Sequence, residues 1–240
     1  MSQLLRSKDR KVANAVTPNG KQASIANTFG LPAGKAYSCP GATSVCESVC
    51  YAGKLEKVFP TVKKNLLHNW ELLKDADLDT MEALLSEMID EFIIDCNKRN
   101  APKLFRIHWD GDFFNDTYTQ AWKNVIVNNT SIQFWVYTRV KSAAVMLKDI
   151  PNLSLYYSTD SENKSIGVTL KKDHGIRLAY LANNFLVGQA DMKALTNRPA
   201  AKCPENNRQI PLISTKGSAC VSCSLCVYSK ADIVFSATKK

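Results

Sequence analysis

From Met81 to Cys96 the apolar residues fall at Met81, Leu84, Leu85, Met88, Ile89, Phe92, Ile93 and Cys96. Steps of three and four keep them on one side of a helix, so the stretch predicts a long helix docked on a larger core. Its start is read after Asp79, with Glu82 three residues on as the reciprocal cap. Cys96 belongs to this stripe and reads as a small buried hydrophobe, not a ligand. A shorter stripe, Val62, Leu66, Trp70 and Leu73, predicts a helix opened by Pro60, whose missing N–H costs nothing in a first turn. Beyond residue 100 the period changes. LFRIHW, IQFWVYTR, NLSLYYST and GIRLAYLA are short apolar runs of strand type. A helix from about Asn115 to Val127 follows the first, and a short helix from Ser142 follows the second. Apolar strands alternating with helices predict an α/β fold with mainly parallel strands and helices outside. Right-handed crossovers would wind it into a full or partial (βα) barrel. ASIANTFGLPAGKAYSCPG, near the start, reads as a short strand or two broken at Leu31–Gly34. The expected organisation is an α/β core over residues 1–198 and a C-terminal cysteine-rich metal-binding extension over residues 199–240.

Composition narrows the class. A chain of 240 residues, 45% of them hydrophobic, can bury a real core. The opening MSQLLRSKDRKVANAV has no apolar run of signal-peptide length, and no segment approaches a membrane span. The expected location is therefore the cytoplasm, without a membrane partner. Thiols stay reduced there, so clustered cysteines read as metal ligands before they read as disulfides. The net charge of +9 favours an anionic partner such as a nucleic acid or nucleotide. Solubility is the plainer account, because the lysines are scattered in short pairs such as Lys63-Lys64, Lys171-Lys172 and Lys239-Lys240.

Seven of the eight cysteines form two groups. Cys39, Cys46 and Cys50 have the spacing C-x6-C-x3-C in a loop opened by Pro40-Gly41. Three thiolates can hold a 4Fe–4S cluster with one position left open, whereas zinc would need a fourth ligand, and the closest histidine in sequence is His68. Cys203, Cys220, Cys223 and Cys226 have the spacing C-x16-C-x2-C-x2-C, which can close a second 4Fe–4S cluster or a structural zinc site. RIHWDGDFF places His108, Asp110 and Asp112 just past a strand end, and IQFWVYTR places Tyr137, Thr138 and Arg139 at the next. In a parallel barrel those ends face the active site.

A three-cysteine loop ending in Cys50-Tyr51-Ala52, after an early strand of an alternating α/β chain, resembles the cluster loop of the radical SAM superfamily. The usual spacing there is C-x3-C-x2-C. The Cys-Pro-Gly opening, the CYA ending, RIHWDGDFFN, FWVYTR and the terminal cysteine group are more similar to a phage-encoded gene product 88-like family, over about Leu31 to Cys226. The resemblance implies that Cys39, Cys46 and Cys50 ligate a cluster whose fourth iron binds S-adenosylmethionine. Reductive cleavage of that cofactor would start hydrogen abstraction from an anionic substrate, with an electron donor as partner. Tyr51, His108, Gly111, Asp112 and Arg139 would surround the cofactor. Gly111-Asp112 is similar to the turn that holds its amino group, and Arg139 would meet a carboxylate or phosphate. The implied location is the cytoplasm of an infected bacterial host. The structural alternatives are capping aspartates beside a turn glycine, a surface ion pair for Arg139 and a hydrogen-bonded core histidine for His108. The functional alternative is a zinc-dependent nucleic-acid-binding protein without catalysis.

Overall fold

The computed structural model describes residues 3–229 and 231–238; the Lys239-Lys240 pair lies outside them. The chain opens with an antiparallel hairpin of β1 (Asn14–Val16) and β2 (Gln22–Ser24), then β3 (Thr28–Gly30). The first cysteine loop folds into two short helices, α1 (Ser44–Val49) and α2 (Tyr51–Val58). Next come α3 (Pro60–Leu73) and α4 (Leu78–Arg99). Strand and helix then alternate: β4 (Leu104–Asp110), α5 (Asp116–Asn128), β5 (Gln133–Thr138), α6 (Lys141–Leu147), β6 (Leu153–Thr159), α7 (Lys164–His174), β7 (Arg177–Ala182) and α8 (Phe185–Thr196). The tail adds β8 (Ala201–Lys202), a small hairpin of β9 (Ile213–Ser214) and β10 (Gly217–Ser218), α9 (Ala219–Cys223) and β11 (Ile233–Ser236).

The main sheet has the order β3-β4-β5-β6-β7-β11-β8, and its pairings are parallel. Neighbours follow chain order as far as β7, the winding expected of strand–helix units. Among the described residues no pairing joins β3 to β8, so the sheet is open and the full barrel is not formed. β11 and β8, both from the tail, extend the sheet beyond β7.

Each strand divides its side chains between two packed faces. Phe105, Ile107, Phe134, Val136, Leu155, Tyr157, Leu178, Tyr180 and Val234 join one large core with the helices. Each fully buried apolar side chain there contributes about 1.5–3 kcal/mol. Leu104, Trp135, Tyr156, Ala179 and Ile233 turn the other way and pack under the tail residues Val227, Leu225, Cys220 and Cys226. A parallel sheet needs cover on both faces, and here the cysteine-rich tail covers the second.

The long helix packs as its stripe dictates, with Met81, Leu85, Met88, Ile89, Phe92 and Cys96 buried. Its cap is Asp77, two residues before the position read from sequence; the Asp77 carboxylate accepts the Thr80 N–H at 2.8 Å. No helix among the described residues is long and apolar enough to cross a membrane.

Candidate functional site

The first cysteine loop lies across the C-terminal ends of β4, β5 and β6. Leu31 N–H donates to the Asp110 carbonyl at 3.1 Å as the chain leaves β3. Ser38 is fully buried and donates its hydroxyl to the Pro32 carbonyl at 2.7 Å. Gly41 presses on β5 so closely that a Cβ would stand 2.5 Å from the Arg139 carbonyl oxygen. Thr43 caps α1 and also donates to Asp160 Oδ2, just past β6, at 2.6 Å. Cys50 caps α2, its Sγ accepting the Gly53 N–H at 3.3 Å. The backbone of Gly111, at φ 80°, passes under Ser38 and Leu31, where a larger residue would clash.

These contacts bring the first three cysteines into one neighbourhood. Cys39 interacts with Asp112 and Asp110, Cys46 with Arg139 and Cys50, and Cys50 with Asp110 and Glu56. Burial raises each thiol above its ordinary value; the carboxylates add to it, while Arg139 opposes it at Cys46 and the Gly53 N–H opposes it at Cys50. Such thiols hold their protons until a metal displaces them. Among the described residues no three His, Cys, Asp or Glu side chains stand together as a single-ion site. A tetrahedral zinc needs its sulfurs at about 2.3 Å from one point, whereas a cubane spreads its thiolates over separate irons.

The acidic residues divide the work. Asp112 is spent on structure: Oδ1 accepts from Thr138 Oγ1 at 2.6 Å and Phe113 N at 2.8 Å, and Oδ2 accepts from Arg139 N at 2.7 Å. Burial first pushes its carboxyl up to about 6, against these hydrogen bonds. Asp110 is the less satisfied group. Its Oδ1 accepts the Gly111 N–H at 2.9 Å, while its buried Oδ2 has no amide or hydroxyl donor and is left to a proton shared with the Glu56 carboxyl. Burial and then the neighbouring Glu56 carboxyl push Asp110 up. Two adjacent carboxyls must share a proton or take in a cation.

Arg139 reaches Asp160 at 2.7 Å with its side chain 9% exposed, so it is a buried ion pair at the mouth and not a surface one. His108 turns away from the mouth into the helix-side core, where Nε2 meets the Tyr118 hydroxyl at 2.9 Å. Tyr51 stands at the rim, donating to the Trp109 carbonyl at 2.9 Å.

The second group assembles on the opposite face of the sheet. Cys203, Cys220, Cys223 and Cys226 line one cavity with Pro204, Glu205 and Leu225. Cys203 is set by its N–H bond to the Val234 carbonyl at 3.0 Å, and Cys220 by an N–H bond to the Lys11 carbonyl at 2.9 Å. Burial pushes Cys220 and Cys226 up to about 12, with Arg106 acting in the other direction on both.

Arg106 was not singled out from sequence. Its guanidinium donates to Asp9 at 2.8 Å and to the Tyr51 hydroxyl at 3.4 Å, and it lies 5.6 Å from the Tyr137 ring centroid. Tyr137 in turn packs beside Cys226 and interacts with it electrostatically. Tyr51, the neighbour of Cys50, is thus linked through Arg106 and Tyr137 to Cys226. The signal was a lone arginine inside the apolar strand LFRIHW, at a position that faces away from the helices. Glu56, Thr43 and Asp160 are also part of the site; the sequence places Asp160 just past a strand end without assigning it a role, and Glu56 and Thr43 carry no signal of it.

A family model described as Gene product 88 matches residues 2–229. The Gene 88 protein of Mycobacterium phage L5 is 53% identical over 245 residues, covering the whole of both chains. The Gene 88 protein of Mycobacterium phage D29 is 51% identical over 246 residues, again end to end. No solved structure matches the chain.

Proposed function

This chain belongs to the gene product 88 family, and we propose that it is an iron–sulfur enzyme of radical SAM type acting in the cytoplasm of an infected bacterium. One observation carries the proposal. The loop holding Cys39, Cys46 and Cys50 leaves the first strand of the parallel sheet and lies over the ends of the next strands, beside the buried carboxyl pair of Asp110 and Glu56. Strand ends are where βα folds gather their chemistry. When bound, a 4Fe–4S cluster supplies the electron that cleaves S-adenosylmethionine and starts hydrogen abstraction.

The chain's own residues prepare for that. Cys39, Cys46 and Cys50 would supply three thiolates to the cluster. Asp110, more than Asp112, would meet the ammonium of the cofactor, in place of the proton it shares with Glu56, because every oxygen of Asp112 is engaged. Asp112 instead clamps the end of β4 to the end of β5, and Arg139 holds Asp160 across the mouth. Gly111 gives the backbone a close approach that no side chain would allow. The four terminal cysteines line one cavity, where they would hold a second 4Fe–4S cluster at one end of the Tyr51–Arg106–Tyr137 link; among the described residues they do not stand together as a single-ion site, which disfavours zinc there.

Anaerobically purified protein tests this. Wild type should carry iron and sulfide, and reduction should cleave S-adenosylmethionine. The triple variant Cys39→Ala/Cys46→Ala/Cys50→Ala should lose about four irons per chain and all cleavage. Protein that carries zinc alone, or a triple variant with unchanged iron, removes the enzymatic reading and leaves the zinc-dependent nucleic-acid-binding one.

A further inference from the structure

Beside the cysteine loop the surface is basic and aromatic, and its parts come from separate stretches of chain. α2 exposes Lys54 and Lys57, one turn apart, and the first turn of α3 exposes Lys63 and Lys64. Where α2 ends and α3 begins, Val58 and Phe59 stand 65% and 51% exposed, an unusual outlay of apolar surface. The loop before Cys39 adds Lys35 and the 41% exposed Tyr37. Two contacts fix that loop against the helices: Ala33 N–H donates to Glu56 Oε1 at 2.9 Å, and the Tyr37 ring meets the Trp70 edge at 5.9 Å. Glu56 is the sole acidic residue from Tyr51 to Trp70, and it turns inward to make that bond. The patch therefore presents five lysines and two aromatic residues, with the exposed acids Glu47 and Glu71 just outside the stretch that carries the helical lysines.

We propose that this surface binds single-stranded nucleic acid and leads it to the mouth over Cys39, Cys46 and Cys50. Lysines neutralise phosphates, and exposed aromatic rings stack on unpaired bases. An acidic protein face would use the lysines but has no use for flat rings set among them. A duplex hides the faces of its bases and would engage the charge alone. The inference assigns a substrate class to the enzyme proposed above. It is read by binding, without turnover, so it can fail while the cluster reading stands and hold when that reading fails.

The test is fluorescence anisotropy of a labelled 20-nucleotide single strand with the full chain at about 50 mM salt. Wild type should bind, more tightly than it binds the matching duplex, and polyglutamate should compete poorly. Lys57→Glu/Lys63→Glu should weaken binding by at least about tenfold and lower the salt slope by about 1.4. Phe59→Ala should weaken single-strand binding by about tenfold and leave duplex binding unchanged. Both variants alter exposed positions, and circular dichroism checks that each is folded as wild type. Absence of binding by wild type, equal binding by the lysine variant, no effect of Phe59→Ala, or a preference for duplex or polyglutamate would each overturn the proposal.

Discussion

His108 sits in a parallel strand with a left-handed backbone, at φ 58°, where β4 shifts register against β3. Its ring is held 4.8 Å from Phe113 and 6.3 Å from Phe29, and it bonds Tyr118. Burial, then the charge of Arg106, lowers its pKa to about 3, so it is neutral in the folded protein. A depressed histidine opposes folding once the unfolded chain takes up a proton that the native ring refuses. Its contribution is whole above the unfolded value of about 6.5 and is lost as pH falls towards 3, by up to about 1.4 kcal/mol per pH unit. Asparagine tolerates the left-handed backbone and does not titrate. His108→Asn should therefore be less stable than wild type by about 2 kcal/mol at pH 7, from the lost packing and hydrogen bond. At pH 5.5 that gap should narrow by about 1.4 kcal/mol. Urea unfolding of cluster-free protein at the two pH values measures it; a constant gap would mean that the ring is protonated in the fold.

The elements that sequence revealed and those it hid differ in how they touch the sheet. α4 docks through six large or sulfur-bearing side chains, which is why its stripe was legible. α7 and α8 were not anticipated, and both approach the sheet through glycine. A Cβ on Gly188 would stand 2.5 Å from Val234 Cγ1, and one on Gly167 would stand 3.1 Å from Thr159 Oγ1. Close seating of this kind needs no apolar stripe, and α8 even points Leu186, 82% exposed, away from the core. The cysteine loop is built by a similar approach at Gly41. α1 buries no residue of its own, so its position depends on that contact, on its caps and on the bonds of Ser44 to Glu162. If the proposed cluster is bound there, Gly41→Ala should push the loop off the end of β5 and remove more than half of the iron that the Cys39→Ala/Cys46→Ala/Cys50→Ala variant loses. Its melting temperature should fall by no more than about 4 °C, because little core is involved. Iron analysis beside a thermal melt checks both parts; full iron with Ala at 41 would show that the loop does not need this seat.

At the scale of the molecule, the two ends of the chain close over one face of the sheet. Ser218 Oγ donates to the Arg10 carbonyl at 2.7 Å, Gln22 Nε2 to the Ser214 carbonyl at 2.7 Å, and Lys11 pairs with Glu205 at 2.9 Å. Ser154 Oγ reaches the Val227 carbonyl at 2.6 Å and Tyr156 the Ala231 carbonyl at 2.9 Å, so the tail is bonded to the strands beneath it. A composition rich in Pro, Asn and Cys made this segment read as an extension, because it hides the four-residue strand IVFS among turns. The cysteine spacing was legible; that the tail would also complete the sheet and cover Trp135 and Tyr156 was not, since such pairings leave no local pattern. Without the tail, β7 becomes a bare edge and the second face of a parallel sheet meets water, a condition such sheets rarely survive. A chain cut after Arg198 should therefore show no cooperative urea transition and should bind a hydrophobic dye at neutral pH. A sigmoidal transition with a slope close to that of the full chain would show instead that residues 1–198 are a self-sufficient domain, and that the link from Tyr51 through Arg106 to Cys226 is an addition to a finished fold.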